Sequence, residues 1–398
     1  MILDETKLKE IKDSFQDAHI NFLVGSGASM PYLKTLNNIE TLLEELDKED
    51  SSTGKFDIAR VSIYKKFYDD VIVKNLKLIS DDAETLEVVS NYRALLETIN
   101  YLMLRRKSSL HDKQVNIFTT NIDIFFEKSF ESSGLEYNDG FNGRFKPEFN
   151  LSNFKKSIFK KSLQYDNISE IPTFNLVKLH GSLSWKISGD QVISFTDRLE
   201  EVGDIDKIKL DAKSLVGFNE KTEYSELISE SAKIKTPPAG SSDFKRAYEQ
   251  LGIVNPDKNK FKHSILNENY YELLRIYTNE LEKESALLFV FGFSFADEHI
   301  RHVTARTANA NPTLTIYVFA HSNKAKLEIE ENLRKIDFKN NNLKLIAPPL
   351  KSKEDISSDD YKFNLQVFNE MVFEGLLLPD DKQSITINIK DGKVSDDK

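Results

Sequence analysis

Short apolar runs alternate with longer amphipathic stretches along most of this chain. Residues 20–24 (INFLV), 115–118 (VNIF), 174–179 (FNLVKL), 286–291 (ALLFVF), 314–320 (LTIYVFA) and 343–347 (LKLIA) are brief and predominantly apolar, and read as buried strands. Between them the apolar positions recur at helical spacing. Leu8, Ile11 and Phe15 do so within 4–18. Leu86, Tyr92, Leu95, Leu96, Ile99 and Leu102 do so within a mostly helical stretch, 39–109. Tyr270, Leu273, Leu274, Tyr277 and Leu281 do so within 267–285. Strands alternating with helices predict an α/β fold, a parallel sheet with helices on both faces. Residues 140–173 and 186–262 show weaker patterning and more charge, with a turn-like PPAGSS at 237–242, and read as insertions on that core.

Four of the predicted strands run into polar or glycine-rich clusters, which a parallel sheet would gather on one rim, where such sheets bind ligands. Gly25-Ser26-Gly27-Ala28-Ser29 suits close backbone approach to a phosphate, with a helix start supplying free N–H groups. A dinucleotide fingerprint would carry a third glycine where Met30 stands, so a plain strand-to-helix corner remains an alternative. Thr119-Thr120-Asn121-Ile122-Asp123 sets two short polar groups at the rim, though Thr120 or Asn121 could instead cap the following helix. His180-Gly181-Ser182 places an imidazole where a base is useful near neutral pH. Gly292-Phe293-Ser294 again suits phosphate contact, and Asp297 reads as the N-cap or first turn of a helix. The other histidines, His19, His111, His263, His299, His302 and His321, have no comparable setting; His299 and His302 fall three apart on a predicted helix, a spacing more typical of an exposed face than of a metal pair.

Composition narrows the chemistry. With 39% hydrophobic and 30% charged residues, and 27 Phe and 14 Tyr, there is ample material for a core; sparse Gly (15) and Pro (10) argue against beads on flexible linkers. The formal net charge of −10 makes direct nucleic-acid binding unexpected. No cysteine is present, which excludes disulfides, Cys-based zinc sites, iron–sulfur clusters and Cys nucleophiles. With no apolar signal region after Met1 and no run long enough to span a bilayer, a cytoplasmic protein without a membrane partner is expected.

The four clusters, in this order, resemble the sirtuin (silent information regulator) family. GSGAS is similar to its Gly-Ala-Gly-x-Ser motif, TTNID to Thr-Gln-Asn-Ile-Asp, HGS to its His-Gly segment and GFS to Gly-Thr-Ser. The resemblance implies a Rossmann-like domain over residues 1–350 that takes NAD as substrate and needs no metal. Within it, a helical insertion (about 39–109) and the insertions at about 140–173 and 186–262 would replace the zinc module; residues 351–398 would form a C-terminal helix and polar tail. It also implies roles. Asn121 would orient the attacking group, Asp123 would contact the nicotinamide carboxamide, and His180 would serve as base for a ribose hydroxyl. Gly25, Ser26, Gly27, Ala28, Ser29, Thr120, Gly292 and Ser294 would line the cofactor.

Departures from the deacylating sirtuins point to a particular branch. The four-cysteine zinc module cannot exist here, Met30-Pro31-Tyr32-Leu33-Lys34 stands where a Pro-Asp-Phe-Arg loop would gate nicotinamide, and Thr120 replaces Gln. IFTTNIDIFFE, VKLHGSLSW and VFGFSFADEHI look more like the sirtuin-like NADases of bacterial antiphage defence, especially those paired with a HerA-type ATPase. The expected function is therefore an NAD glycohydrolase controlled by homo-oligomeric assembly. The alternatives are an NAD-dependent protein deacylase or a nucleotide-binding assembly subunit with little catalysis of its own.

Overall fold

The computed structural model describes residues 5–35, 38–48, 54–106, 111–187, 193–254, 264–348 and 362–377. His263 and the tail DGKVSDDK lie outside the described residues. Thirteen strands are formed among the described residues: β1 (His19–Val24), β2 (Gln114–Thr119), β3 (Tyr137–Asn138), β4 (Phe141–Asn142), β5 (Glu148–Phe149), β6 (Ile158–Lys161), β7 (Ile168–Ile171), β8 (Thr173–Lys178), β9 (Trp185–Ile187), β10 (Ile193–Phe195), β11 (Ala286–Phe291), β12 (Thr315–Phe319) and β13 (Leu343–Ile346). The helices are α1 (Glu5–Gln16), α2 (Ile39–Asp47), α3 (Lys55–Phe67), α4 (Leu76–Ile79), α5 (Ala83–Leu104), α6 (Phe125–Ser133), α7 (Glu200–Asp206), α8 (Tyr224–Ala232), α9 (Ser241–Tyr248), α10 (Ser264–Leu281), α11 (Glu298–Ala310), α12 (Asn323–Arg334) and α13 (Leu365–Phe368).

Seven strands build the central sheet in the order β13-β12-β11-β1-β2-β8-β3, every neighbouring pair parallel. This is the α/β parallel sheet that the alternating pattern predicts, Rossmann-like as the resemblance implies, because a parallel sheet needs crossover helices that cover both its faces. Ile20, Phe22, Val24, Ile117, Leu176 and Phe289 point into one apolar layer with side chains of α1, α5, α6 and α13. Leu23, Phe118, Val177, Leu288 and Val290 point into the other, against α10, α11 and α12.

The strands are less purely apolar than they look. Asn21, Asn116 and Asn175 stand in register on β1, β2 and β8, buried, and Asn138 on β3 continues the row. Asn116 Nδ2 donates to Asn21 Oδ1 (2.9 Å), and Asn175 Nδ2 donates to Asn116 Oδ1 (2.8 Å). The amides pair across neighbouring strands inside the sheet, so a one-residue slip of any strand would break these bonds.

The less patterned stretches do not stand alone. β4 and β5 join β10 and β9 in a small antiparallel sheet of order β4-β5-β10-β9, so residues from both stretches form one layer around Trp185 and Phe141. Residues 200–248 pack instead on the helical stretch: Tyr248 stacks on Tyr64 of α3 (4.2 Å), and the Tyr68 hydroxyl donates to Val202 O (2.8 Å). Within α5, Tyr92, Leu95, Leu96, Ile99 and Leu102 are buried as the spacing predicts, whereas Leu86 is exposed because it lies off the face that they and Thr85 share. Among the described residues no helix is long and apolar enough to cross a membrane.

Candidate active site

Because β1, β2, β8, β11 and β12 are parallel, their carboxyl ends share one rim. The sheet order runs outward in both directions from β1, which lies between β11 and β2, and a crevice at such a switch point is where open α/β sheets bind ligands. A cavity of about 410 Å³ occupies it. Its walls include Ser26, Gly27, Ser29, Thr120, Asn121, Asp123, His180, Gly292 and Ser294. Gly25 and Ala28, assigned to cofactor contact from the sequence, do not line it and are buried beneath.

The glycines have a reason that the motif alone does not reveal. The Gly25 N–H donates to Phe291 O (3.0 Å) and the Gly27 N–H to Gly292 O (2.9 Å), so the ends of β1 and β11 lie backbone against backbone. A Cβ on Gly25 would stand 2.5 Å from Gly292 O, and one on Gly292, at φ +66°, would stand 2.5 Å from the Ala28 nitrogen. The expected helix after the turn is instead a single 3-10 turn, Ser26–Ser29, too short to offer a helix dipole to an anion.

Ser29 is the hub of the polar floor. Its hydroxyl donates to Asp123 Oδ2 (2.8 Å) and lies 3.3 Å from Asn121 Nδ2, which donates to it. With the serine proton committed to the carboxylate, the Tyr92 hydroxyl, 2.9 Å away, is the donor in the third contact. Tyr92 is fully buried, stacked on Phe125 and edge-on to Phe126, and burial beside Asp123 raises its pKa well above the ordinary value, so the donor stays protonated. Asp123 Oδ1 accepts from the Phe125 N–H (3.2 Å), and it is this side chain, rather than Thr120 or Asn121, that serves the start of α6. Burial raises the Asp123 carboxyl above its ordinary range, against the opposing charge of Lys178. Asn121 Oδ1, buried in the cavity wall, has no hydrogen-bond partner among the described residues, an acceptor left over for something that enters.

Beneath this loop sits a buried ion pair. Lys178, the last residue of β8, lies 3.1 Å from Glu127 Oε1 and donates to the backbone carbonyls of Asn121 (3.3 Å) and Asp123. Ser182 donates to Glu127 Oε1 (3.4 Å) and lies 3.0 Å from Ser184. The lysine thus ties the turns after β2 and β8 together from below.

His180 is the second residue after β8. Its carbonyl accepts from the Val254 N–H (2.8 Å), and Gly181, at φ +75°, packs on Gly252, whose carbonyl a Cβ would meet at 2.3 Å. Across the cavity mouth, His180 Nε2 lies 3.1 Å from Asp297 Oδ2. Asp297 does cap α11 as expected, its Oδ1 accepting from the Ile300 N–H (3.1 Å), but its second oxygen faces the imidazole. His321, which the sequence reading set aside, ends β12 on the same rim and lines the same cavity, its Nδ1 2.8 Å from Phe363 O. Ser294 lines the wall with its carbonyl held by Asn332 Nδ2 (3.1 Å).

Five residues at or beneath the cavity carry no functional reading from the sequence beyond a helix cap: Tyr92, Lys178, Glu127, His321 and Asp297. Their partners stand on other elements, so the local sequence pattern carries no signal for them. Among the described residues no group of three or more His, Asp or Glu is placed to hold a metal ion.

Comparison with known proteins bears on the family. No curated protein matches the chain. A solved structure described as "Structural Basis for the Mechanism and Regulation of Sir2 Enzymes" aligns over 84% of this chain and 98% of its own, with 10% identity and a TM-score of 0.33. The family model of the SIR2-like domain matches residues 115–346, more than half of the chain; the match takes in the clusters after β2, β8 and β11 and leaves the Gly25–Ser29 turn outside. Carrying that match from β2 through β13, this chain belongs to the SIR2-like domain family.

Proposed function

We propose that this chain is an NAD glycohydrolase, cleaving NAD to nicotinamide and ADP-ribose with water as the nucleophile. The observation that carries the reading is the convergence of Ser29, Asn121, Asp123 and His180 on one cavity at the sheet's switch point. In the reaction the bond between the ribose anomeric carbon and the pyridinium nitrogen breaks, nicotinamide leaves with the electron pair, and a water oxygen bonds to the carbon while its proton passes to solvent or base. The transition state resembles an oxocarbenium ion, so positioning and one well-placed base are the main demands. Asn121, with its unpartnered Oδ1, suits the orientation of the attacking water. Asp123, held by Ser29 and the Phe125 N–H, keeps lone pairs for a carboxamide N–H. His180 suits the base at a ribose hydroxyl. The fit to NAD is further supported by Gly27, Ser26, Gly292 and Ser294, which supply small residues to the cavity lining where a pyrophosphate would approach the backbone.

We further place the enzyme as an effector of antiphage defence, active only when assembled, with a HerA-type ATPase as partner. A free NADase would exhaust its own host, and control by assembly is the simplest remedy. The hairpin β6–β7 supports self-association, since Phe159, Leu163, Tyr165 and Ile168 are all exposed on it.

The test is quantification of nicotinamide and ADP-ribose released by wild type, Asn121→Ala and His180→Ala, alone and with the ATPase, with light scattering to follow assembly. Release by the wild type that disappears in both variants while their circular dichroism is unchanged is the expected outcome. Release that depends on an acetylated peptide would replace this reading with a deacylase, and NAD binding without release under every condition would replace it with a nucleotide-binding subunit.

A further inference from the structure

The cap of α11 and the imidazole of His180 share one carboxylate. Oδ1 of Asp297 accepts from the Ile300 N–H at 3.1 Å, while Oδ2 lies 3.1 Å from His180 Nε2. Both side chains are largely buried and both line the cavity. A residue serving only as a cap needs one oxygen and could be Ser, Thr or Asn as well as Asp. An Asp whose other oxygen meets a histidine does something those residues would not. We propose that Asp297 is a positioning residue for His180, an inference that rests on the glycohydrolase reading for its catalytic consequence but not for the pairing itself.

The chemistry follows from the tautomers of imidazole. A carboxylate beside Nε2 favours the form that carries its proton there, leaving the Nδ1 lone pair as the base. When Nδ1 takes a proton from a ribose hydroxyl, the ring becomes cationic, and the carboxylate at 3.1 Å stabilises that charge without receiving the proton. Geometry is fixed as well. The capping bond to Ile300 restrains the carboxylate, and the His180 carbonyl is anchored by the Val254 N–H, so both ends of the pair are tied to backbone. Tyr270 flanks the imidazole, its ring centroid 6.1 Å away, and restricts its swing. The spacing from His180 to Asp297 is long in sequence, and β1 and β2 stand between β8 and β11 in the sheet; the segments that follow the two strands meet over the shared rim.

Asp297→Asn separates the two functions, because asparagine is as good a cap as aspartate but carries no charge. The expected result has two parts. Thermal unfolding stays close to wild type, and the ¹⁵N chemical shifts of His180, assigned by comparison with His180→Ala, move from one dominant tautomer to a mixture. In the assembled enzyme kcat for NAD cleavage falls by about 10²-fold or more with little change in KM. Asp297→Ala, which removes cap and charge together, adds a fall in Tm to the same kinetic loss. Unchanged His180 shifts in Asp297→Asn would overturn the proposal whatever the activity; shifted resonances with kcat untouched would overturn its catalytic part. If the wild type cleaves no NAD, the glycohydrolase reading fails, while the tautomer measurement still decides the pairing.

Discussion

Removing the Lys178 ammonium leaves the buried Glu127 carboxylate facing little more than the Ser182 hydroxyl, and releases the carbonyls of Asn121 and Asp123. Lys178→Met is therefore expected to cost about 3–5 kcal/mol in denaturant unfolding, the usual penalty for orphaning one half of a buried pair. Adding Glu127→Leu removes the orphaned charge and should restore much of that stability. NAD turnover should stay low in both variants, because neither restores the clamp on the loop; full activity in the double variant would show that the clamp does not position Asn121 and Asp123. At this scale the sequence was legible where a residue type is rare in its setting. A histidine at a strand end and an Asn-x-Asp after a strand stand out, and the cavity does gather them. Lys178 and Tyr92 did not stand out, because a strand residue's neighbours on other elements, and a helix residue's hydrogen-bond partner sixty-three positions away, leave no mark on the local pattern.

Elements meet at this rim through backbone rather than side chains, and glycine substitution tests that directly. Gly292→Ala places a Cβ 2.5 Å from the Ala28 nitrogen at a positive φ. The expected loss is more than about 2 kcal/mol, with weaker NAD binding because the Ser26–Ser29 turn must shift. Gly203→Ala in α7, where nothing lies within 4 Å of the added carbon, is the control and should stabilise by about 0.5–1 kcal/mol. Equal effects of the two on urea midpoint and on NAD affinity would contradict the interlocked-loop account. The six strands read from the sequence and the long amphipathic helices were well marked, with α10 burying Tyr270, Leu273, Leu274, Tyr277 and Leu281 along one face as its spacing demands, whereas the short strands and helices between Phe141 and Tyr248 were not. What the pattern hid was the asparagine row, since a polar residue within an apolar run carries no information about what stands beside it on the next strand.

For the molecule as a whole, the sheet's second layer contains an ionic centre expected to contribute to its response to acid. Glu280 on α10 is buried, accepts from Asn116 Nδ2 (3.1 Å), and lies 2.5 Å from Lys283 and 3.0 Å from Lys155, with His19 nearby. Burial alone would raise its carboxyl; hydrogen bonds and charge from Lys283 and Lys155 outweigh it and hold the carboxyl below its ordinary value of 4.5. A depressed folded pKa means the folded state binds its proton less tightly than the unfolded chain. The stability from ionised Glu280 is thus complete above about pH 4.5 and is lost as pH falls through the lower folded value. Glu280→Gln should lower stability at neutral pH by on the order of 1–3 kcal/mol and flatten the acid limb of a stability–pH curve. An acid limb as steep as wild type would show that other groups govern it.

The sequence by itself determined the layered α/β class, the order of strands and helices, the clusters that end β1, β2, β8 and β11, and, through the absence of cysteine, the loss of any thiolate zinc module. Those features depend on local periodicity and residue type, which a linear string carries in full. Only the tertiary structure decided which groups touch: Ser29 joined to Tyr92 and Asp123, Lys178 beneath the Asn121 loop, Asp297 opposite His180, and Gly292 pressed on Ala28. The physical reason is that a parallel sheet brings together strand ends that are tens to hundreds of residues apart, and hydrogen bonds act over about 3 Å of space without regard to separation along the chain.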